Sequence, residues 1–157
     1  MTIDSRAPAD ADAGTARRIR VVFVCTGNSA RSQMAEAFLR REAGDRFEVV
    51  SGGIDPVPVN PMAIEAMRRV GIDISAAQSK SVTRFLGQRF DYVITVCDRA
   101  RQSCPVFPGG AETLHWGFDD PAEATGTEAE RQAVFDRVLT EIAGRIHAFI
   151  PLATAHG

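Results

Sequence analysis

Residues 19–43 read IRVVFVCTGNSARSQMAEAFLRREA, and the change of pattern inside this stretch decides the fold. IRVVFVC is an apolar run of strand length, as expected of a strand buried on both faces of a parallel sheet. SQMAEAFLRREA then carries Met34, Ala35, Phe38 and Leu39 on one helical face, and Gly44 suits a helix C-terminus. TGNSAR joins the two. A strand that passes through a short loop into a helix is the opening of a strand–helix–strand unit.

Reading outward, FEVVS at 47–51 is a second strand. Asn60 suits an N-cap with Pro61 at the first helical position. Ala63, Ala66, Met67 and Val70 follow at helical spacing, and Gly71 stops the helix. A weaker helix is expected around Val82 to Leu86. DYVITV at 91–96 is another buried strand and TLHW at 113–116 a fourth. Thr127 and Glu130 form a capping box. They open a long final helix with Phe135, Val138, Leu139, Ile142, Ile146 and Phe149 towards the sheet, ending before Pro151. Strands alternating with helices call for an α/β fold, a parallel sheet with helices on both faces. Ligands of such folds bind beyond the carboxyl ends of the strands, where TGNSAR lies.

The chain has 157 residues, enough for one domain and too few for two. The first 18, MTIDSRAPADADAGTARR, are polar and read as a disordered tail before a single domain at 19–157. The tail lacks the apolar core of a signal peptide, and no run approaches the ~18–20 apolar residues of a membrane span. A cytoplasmic protein with no membrane contact is therefore expected. A net charge of −2 gives no reason to expect nucleic acid as a partner. Structural disulfides are rare in the cytoplasm, so Cys25, Cys97 and Cys104 point to chemistry, with burial as small hydrophobes the alternative.

In CTGNSARS a cysteine ends a buried strand, an arginine follows six positions later, and a helix begins at once. The amides of Thr26, Gly27, Asn28, Ser29, Ala30 and Arg31 can curl into a nest at a helix N-terminus, where orphan N–H groups favour an anion. Gly27 and Asn28 tolerate the backbone conformations that such a curl needs. Arg31 offers a planar fork for two oxygens of a tetrahedral oxyanion. The same field favours thiolate at Cys25, and the Ser32 hydroxyl is placed to donate to it. A nucleotide-binding loop fits poorly, since neither G-K-[ST] nor GxGxxG is present.

VVFVCTGNSARSQMAEA closely resembles the signature of low-molecular-weight protein tyrosine phosphatases and of the arsenate reductases built on the same fold. The resemblance runs from about Arg20 to Ile150. It implies a four-stranded parallel sheet flanked by helices in three layers, with Cys25 as nucleophile and Arg31 as oxyanion ligand. It also implies a general acid just before a proline, which falls on Asp120 in WGFDDPAEA, with Asp119 the less suitable neighbour.

The other cysteines separate the two branches. VCDRARQSCPVFPG holds Cys97 at the end of the third strand and Cys104 seven residues later. The resembling reductases carry a cysteine pair here and ordinary phosphatases of the fold generally do not. The tyrosine common after the phosphatase Asp-Pro is also missing. The resemblance therefore implies arsenate reduction: a Cys25 adduct, a Cys25–Cys97 disulfide, then a Cys97–Cys104 disulfide opened by thioredoxin or glutaredoxin. Phosphate and sulfate are expected to compete with arsenate, with no metal or other cofactor, and a monomer is expected. The alternative is a phosphatase hydrolysing phosphomonoesters through a Cys25 phosphocysteine. A zinc site using His115 has poor spacing. Some reductases of this type bind a monovalent cation; Asn28, Glu36 and Ser51 match such positions, but Lys80, the only lysine, stands where an acidic ligand would be. Potassium is accordingly expected to have little effect.

Overall fold

The computed structural model describes residues 17–156, so the expected tail lies outside the described residues except for Arg17 and Arg18. Arg17 is not loose: its guanidinium takes both oxygens of Asp91, at 2.9 and 3.0 Å. In order the elements are β1 (Ile19–Cys25), α1 (Arg31–Ala43), β2 (Phe47–Gly53), α2 (Pro61–Arg69), β3 (Tyr92–Thr95), α3 (Asp98–Ser103), β4 (Glu112–His115) and α4 (Glu128–His156). Short 3-10 turns at Val82–Phe85 and Pro121–Glu123 fill the connections. Among the described residues no helix is long and apolar enough to cross a membrane.

The strands form one sheet in the order β2-β1-β3-β4, and every pair is parallel. Val21, Val22, Phe23 and Val24 of β1 are fully buried, as the continuous apolar run requires of a central strand. Residues an odd number apart in a strand face opposite ways. Phe23 meets Trp116, which leads to Phe149 of α4. Arg20 lies over Phe90, in a cluster with Phe85 and Phe107, on the other face. Both faces of the sheet are thus covered.

This topology positions the site. From β1 the chain moves outward to β2, then returns past β1 to β3. Strand order therefore reverses between β1 and β3, and the crevice at their carboxyl ends is where open α/β sheets bind ligands. Cys25 closes β1, and Cys97 follows β3 by two residues.

Most local signals hold. Asn60 caps α2 through Met62 N at 2.8 Å, and Thr127 and Glu130 exchange the two bonds of a capping box. Two expectations fail. Val70 is 42% exposed rather than on the apolar face of α2, because the helix ends at Arg69 and Val70 has left helical geometry. The final helix continues through Pro151 to His156. Proline there removes one ladder bond. The turn beyond it is held by burial of Ala153 and by the Thr154 hydroxyl, which donates to Ile150 O at 2.8 Å.

Candidate active site

The loop after β1 is tied down from behind. Ile54 N donates to Cys25 O, Asp55 N to Thr26 O, Val57 N to Gly27 O and Asn60 N to Ser29 O, at 2.8–3.0 Å. Asn28 O accepts from the Ser79 hydroxyl at 2.8 Å, and Ala30 O accepts from Met34 N within the helix at 2.9 Å. Every carbonyl from Cys25 to Ala30 is therefore occupied from outside the curl. In a trans peptide the N–H points opposite to the C=O, so these bonds turn the amides of residues 26–31 inward. Helix α1 adds its own open end, since Ala30 supplies no side-chain cap.

Two glycines permit this packing. A Cβ on Gly53 would stand 2.8 Å from Thr26 O and 2.9 Å from Asn28 N, so only glycine lets β2 run beneath the loop. A Cβ on Gly27 would meet Val57 Cγ2 at 2.9 Å. Asn28 itself is left-handed, at φ 50°, and fully buried.

The Asn28 side chain fixes the direction of every proton around the nucleophile. Its Oδ1 accepts from Lys80 N at 2.8 Å and from Gln33 Nε2 at 3.0 Å. Its Nδ2 donates to Ser32 Oγ at 2.8 Å and to Ser51 Oγ at 2.9 Å. Ser51 spends its own hydrogen on the Glu36 carboxylate. Ser32, already accepting from Asn28, keeps its hydrogen for Cys25 Sγ, 2.8 Å away. Asn28 N also donates to that sulfur, at 3.1 Å. Both donors stabilise negative charge on a sulfur that is 2% exposed.

Behind the network Glu36 faces two cations, Arg40 and Lys80, whose Nζ lies 3.8 Å from Glu36 Oε1. Burial pushes the Lys80 ammonium below its ordinary value, and the Glu36 charge opposes that shift. Lys80, Asn28, Glu36 and Ser51 thus meet in one cluster.

Arg31, the first residue of α1, is 8% exposed. Its Nη1 donates to Phe118 O at 3.1 Å, and its Nη2 lies 3.5 Å from Asp120 Oδ2. The β4–α4 connection therefore brings Asp120 onto the arginine of the loop. The neighbouring Asp119 turns away to Arg137, at 3.4 Å.

Cys97 is 7% exposed and caps α3, accepting from Ala100 N at 3.4 Å. The Thr26 hydroxyl lies 3.2 Å from its sulfur, so the second cysteine sits against the loop of the first. Cys104 closes the far end of α3 and is half-buried; burial pushes its thiol up. All three cysteines are free thiols. His115, the zinc alternative, is engaged by the Thr95 hydroxyl at 2.8 Å and by Asp98 at 3.4 Å.

A family profile described as low molecular weight phosphotyrosine protein phosphatase matches residues 20–154. The chain belongs to that family. Within the phosphatase family it is 49% identical over 129 residues to a protein named arsenate reductase from Halalkalibacterium halodurans, covering 82% of this chain and 93% of that relative. A solved structure titled an arsenate reductase in oxidized state superposes with a TM-score of 0.72 at 31% identity, over 84% of this chain and 96% of that one. A thioredoxin-dependent arsenate reductase from Corynebacterium glutamicum superposes with a TM-score of 0.68 at 29% identity, over 89% of this chain and 64% of that one.

Sequence reasoning missed the supports behind the loop. Gln33, 3% exposed, ties Asn28 to Gln78 O, and Ser79 holds Asn28 O. Gln78 and Ser79 arrive from a remote segment, and no spacing announces them. Gly52-Gly53 inside a strand did carry a signal, since glycine there marks close backbone approach.

Proposed function

We propose that the protein reduces arsenate to arsenite, with Cys25 as nucleophile and with Cys97 and Cys104 carrying the oxidising equivalents out of the site. The observation that carries this reading is the disposition of three free thiols: one in the oxyanion nest, one against the same loop, and one at the far end of a six-residue helix. A phosphatase has no use for the second and third, because a phosphate ester offers no reducible centre. The relatives named arsenate reductases support the same choice.

The chemistry follows from the placement. Arsenate lies on the inward amides with Arg31 across two of its oxygens, and the Cys25 thiolate displaces a third, the hydroxyl of the monoprotonated or diprotonated anion. Asp120, beside Arg31, gives that oxygen its proton, and it leaves as water. Cys97 then attacks Cys25 Sγ. The sulfur–arsenic bonding pair stays on arsenic, arsenite departs, and a Cys25–Cys97 disulfide remains. Cys104 attacks Cys97, Cys25 leaves as thiolate, and the oxidation rests on Cys97 and Cys104. Thioredoxin or glutaredoxin reduces that bond in the cytoplasm, where such dithiol proteins are kept reduced. Other tetrahedral anions, phosphate and sulfate, compete for the nest, and the cycle needs one chain only.

Pre-reduced protein mixed with arsenate, without added thiol, tests this. About one arsenite per chain with loss of two thiols is expected, abolished in Cys97→Ser. No arsenite and three intact thiols, in protein that still hydrolyses an aryl phosphate, would establish the phosphatase reading instead.

A further inference from the structure

The two donors that face the Cys25 sulfur favour oxidation as well as nucleophilic attack, because both proceed through charge on that sulfur. Its sulfur lies between Ser32 Oγ and Asn28 N in the loop whose amides turn inward, and Arg31 ends that loop beside Asp120. Hydrogen peroxide is smaller than a tetrahedral oxyanion and fits wherever one does. Arg31 and the amides can stabilise the hydroxide that departs when the O–O bond breaks. A lone cysteine so placed would go on from sulfenic to sulfinic acid, which is irreversible. This one is not alone. β1 and β3 are neighbours in register, Val96 N donates to Val24 O, and the Cys97 sulfur reaches the hydroxyl of Thr26, the residue after Cys25.

We propose that the protein is also a hydroperoxide reductase, in which Cys97 captures the sulfenic acid formed on Cys25. The proposal rests on the three-thiol relay described above but needs no arsenate. The Cys25 thiolate attacks one peroxide oxygen; the S–O bond forms, the O–O bond breaks, and the other oxygen leaves as hydroxide and becomes water. Cys25 is thereby oxidised by two electrons to sulfenic acid. Cys97 attacks that sulfur and expels the second oxygen, also as water, leaving a Cys25–Cys97 disulfide. Cys104 moves the disulfide to Cys97–Cys104, and an external dithiol reduces it. The sum for hydrogen peroxide is one peroxide and one dithiol converted to two waters and one disulfide; an organic hydroperoxide gives one alcohol and one water. An oxidation that would inactivate a single-thiol enzyme is returned to resting thiolate in one cycle.

The test uses reduced full-length protein and one equivalent of hydrogen peroxide, with neither arsenate nor reductant present. Thiols are counted, disulfides are mapped by peptide mass, and sulfenic acid is trapped with dimedone. Wild type should lose two thiols, yield the Cys97–Cys104 disulfide, and recover its arsenite burst after dithiothreitol is added and removed. Cys97→Ser should accumulate dimedone-reactive Cys25 and pass to sulfinic acid in excess peroxide. Cys25→Ser should form the Cys97–Cys104 disulfide at least tenfold more slowly, and saturating phosphate should slow wild type by a similar factor. Equal disulfide formation in Cys25→Ser would overturn the proposal, because peroxide would then be striking the pair directly. So would sulfinic acid appearing on wild-type Cys25 as fast as in Cys97→Ser. An arsenite burst run on the same samples separates the readings: a full burst with failed peroxide arms sinks the second activity alone, and failure of both sinks the relay.

Discussion

The oxyanion loop and the segment from Cys97 to Cys104 stand side by side at the same end of the sheet, yet they are built in opposite ways. In the loop every carbonyl from Cys25 to Ala30 has a partner, and all four hydrogen-bonding positions of the Asn28 side chain are used. In the other segment the two cysteines flank a six-residue helix that buries one residue of its own, Ala100. Arg99 and Arg101 on it make no ion pair among the described residues, and Val106 just beyond is 93% exposed. A site that binds a fixed tetrahedral anion gains from donors that do not move, because reorganisation is then avoided during reaction. A segment that must join its own two ends gains from being held weakly.

The largest expected effect breaks the loop half of this comparison. Asn28→Ala leaves Lys80 N without its acceptor, takes from Ser32 and Ser51 their shared donor, and forces alanine to a φ of 50°. The donor left unsatisfied costs ~1–3 kcal/mol and the left-handed backbone ~1–2 kcal/mol, so a loss of about 2–5 kcal/mol is expected in urea unfolding. The arsenite burst should slow by at least about a hundredfold, the scale of removing a preorganised oxyanion site. Arg101→Ala, on the exposed side of α3, should stay within about 0.5 kcal/mol of wild type. Similar losses at the two positions would mean that the segments are not differently built.

A second prediction sharpens the contrast. Seven residue steps along a helix at ~1.5 Å each would separate Cys97 and Cys104 by about 10 Å. Their Cα atoms must approach to roughly 7 Å for a disulfide. Helix α3 cannot survive that approach, so oxidation must unwind it. Unwinding also exposes Cys104, relieving the burial that holds its thiol up and easing formation of the attacking thiolate. Hydrogen exchange on the Cys97–Cys104 disulfide form should show amides 98–103 at least tenfold less protected than in the reduced protein. Amides 26–31 should be unchanged. Equal protection across residues 97–104 in the two forms would refute the unwinding.

How much of this was legible beforehand follows the range of the interactions involved. β1, the loop and α1 could be read because each depends on residues a few positions apart: the apolar run, Gly27 and Asn28, and the Met34–Leu39 face. The pairing of Cys25 with Cys97 became physical only when the sheet order placed their strands together, and Asp120 on Arg31 only when the β4–α4 connection did. The bonds of Gln33 and Ser79 behind the loop span segments that no pattern links. Val70 and Pro151 were misread for a different reason. Both sit at helix ends, where one bond or one buried side chain decides between continuing and stopping, and local rules weigh those terms poorly.

The smallest expected effect concerns the cation behind the loop. Glu36 orients Ser51, which leaves Asn28 and Ser32 their directions and so delivers the Ser32 hydrogen to Cys25. In that chain Glu36 is the final acceptor, and Lys80 places its ammonium 3.8 Å from the accepting oxygen, held by its own bond to Gln78 O at 3.2 Å. A tethered ammonium makes a dissolved cation redundant, so exchanging potassium for sodium at constant ionic strength should change wild-type turnover by less than about twofold, the weight of a screened charge. Lys80→Met removes the tether while leaving Asn28 its backbone donor, since Lys80 N and not the side chain makes that bond. The variant should turn over more slowly in sodium and recover in part with potassium. A several-fold potassium response in wild type would show that the ammonium does not fill the position. Failure of potassium to help the variant would assign the counter-charge to Arg40, which holds the other oxygen of Glu36.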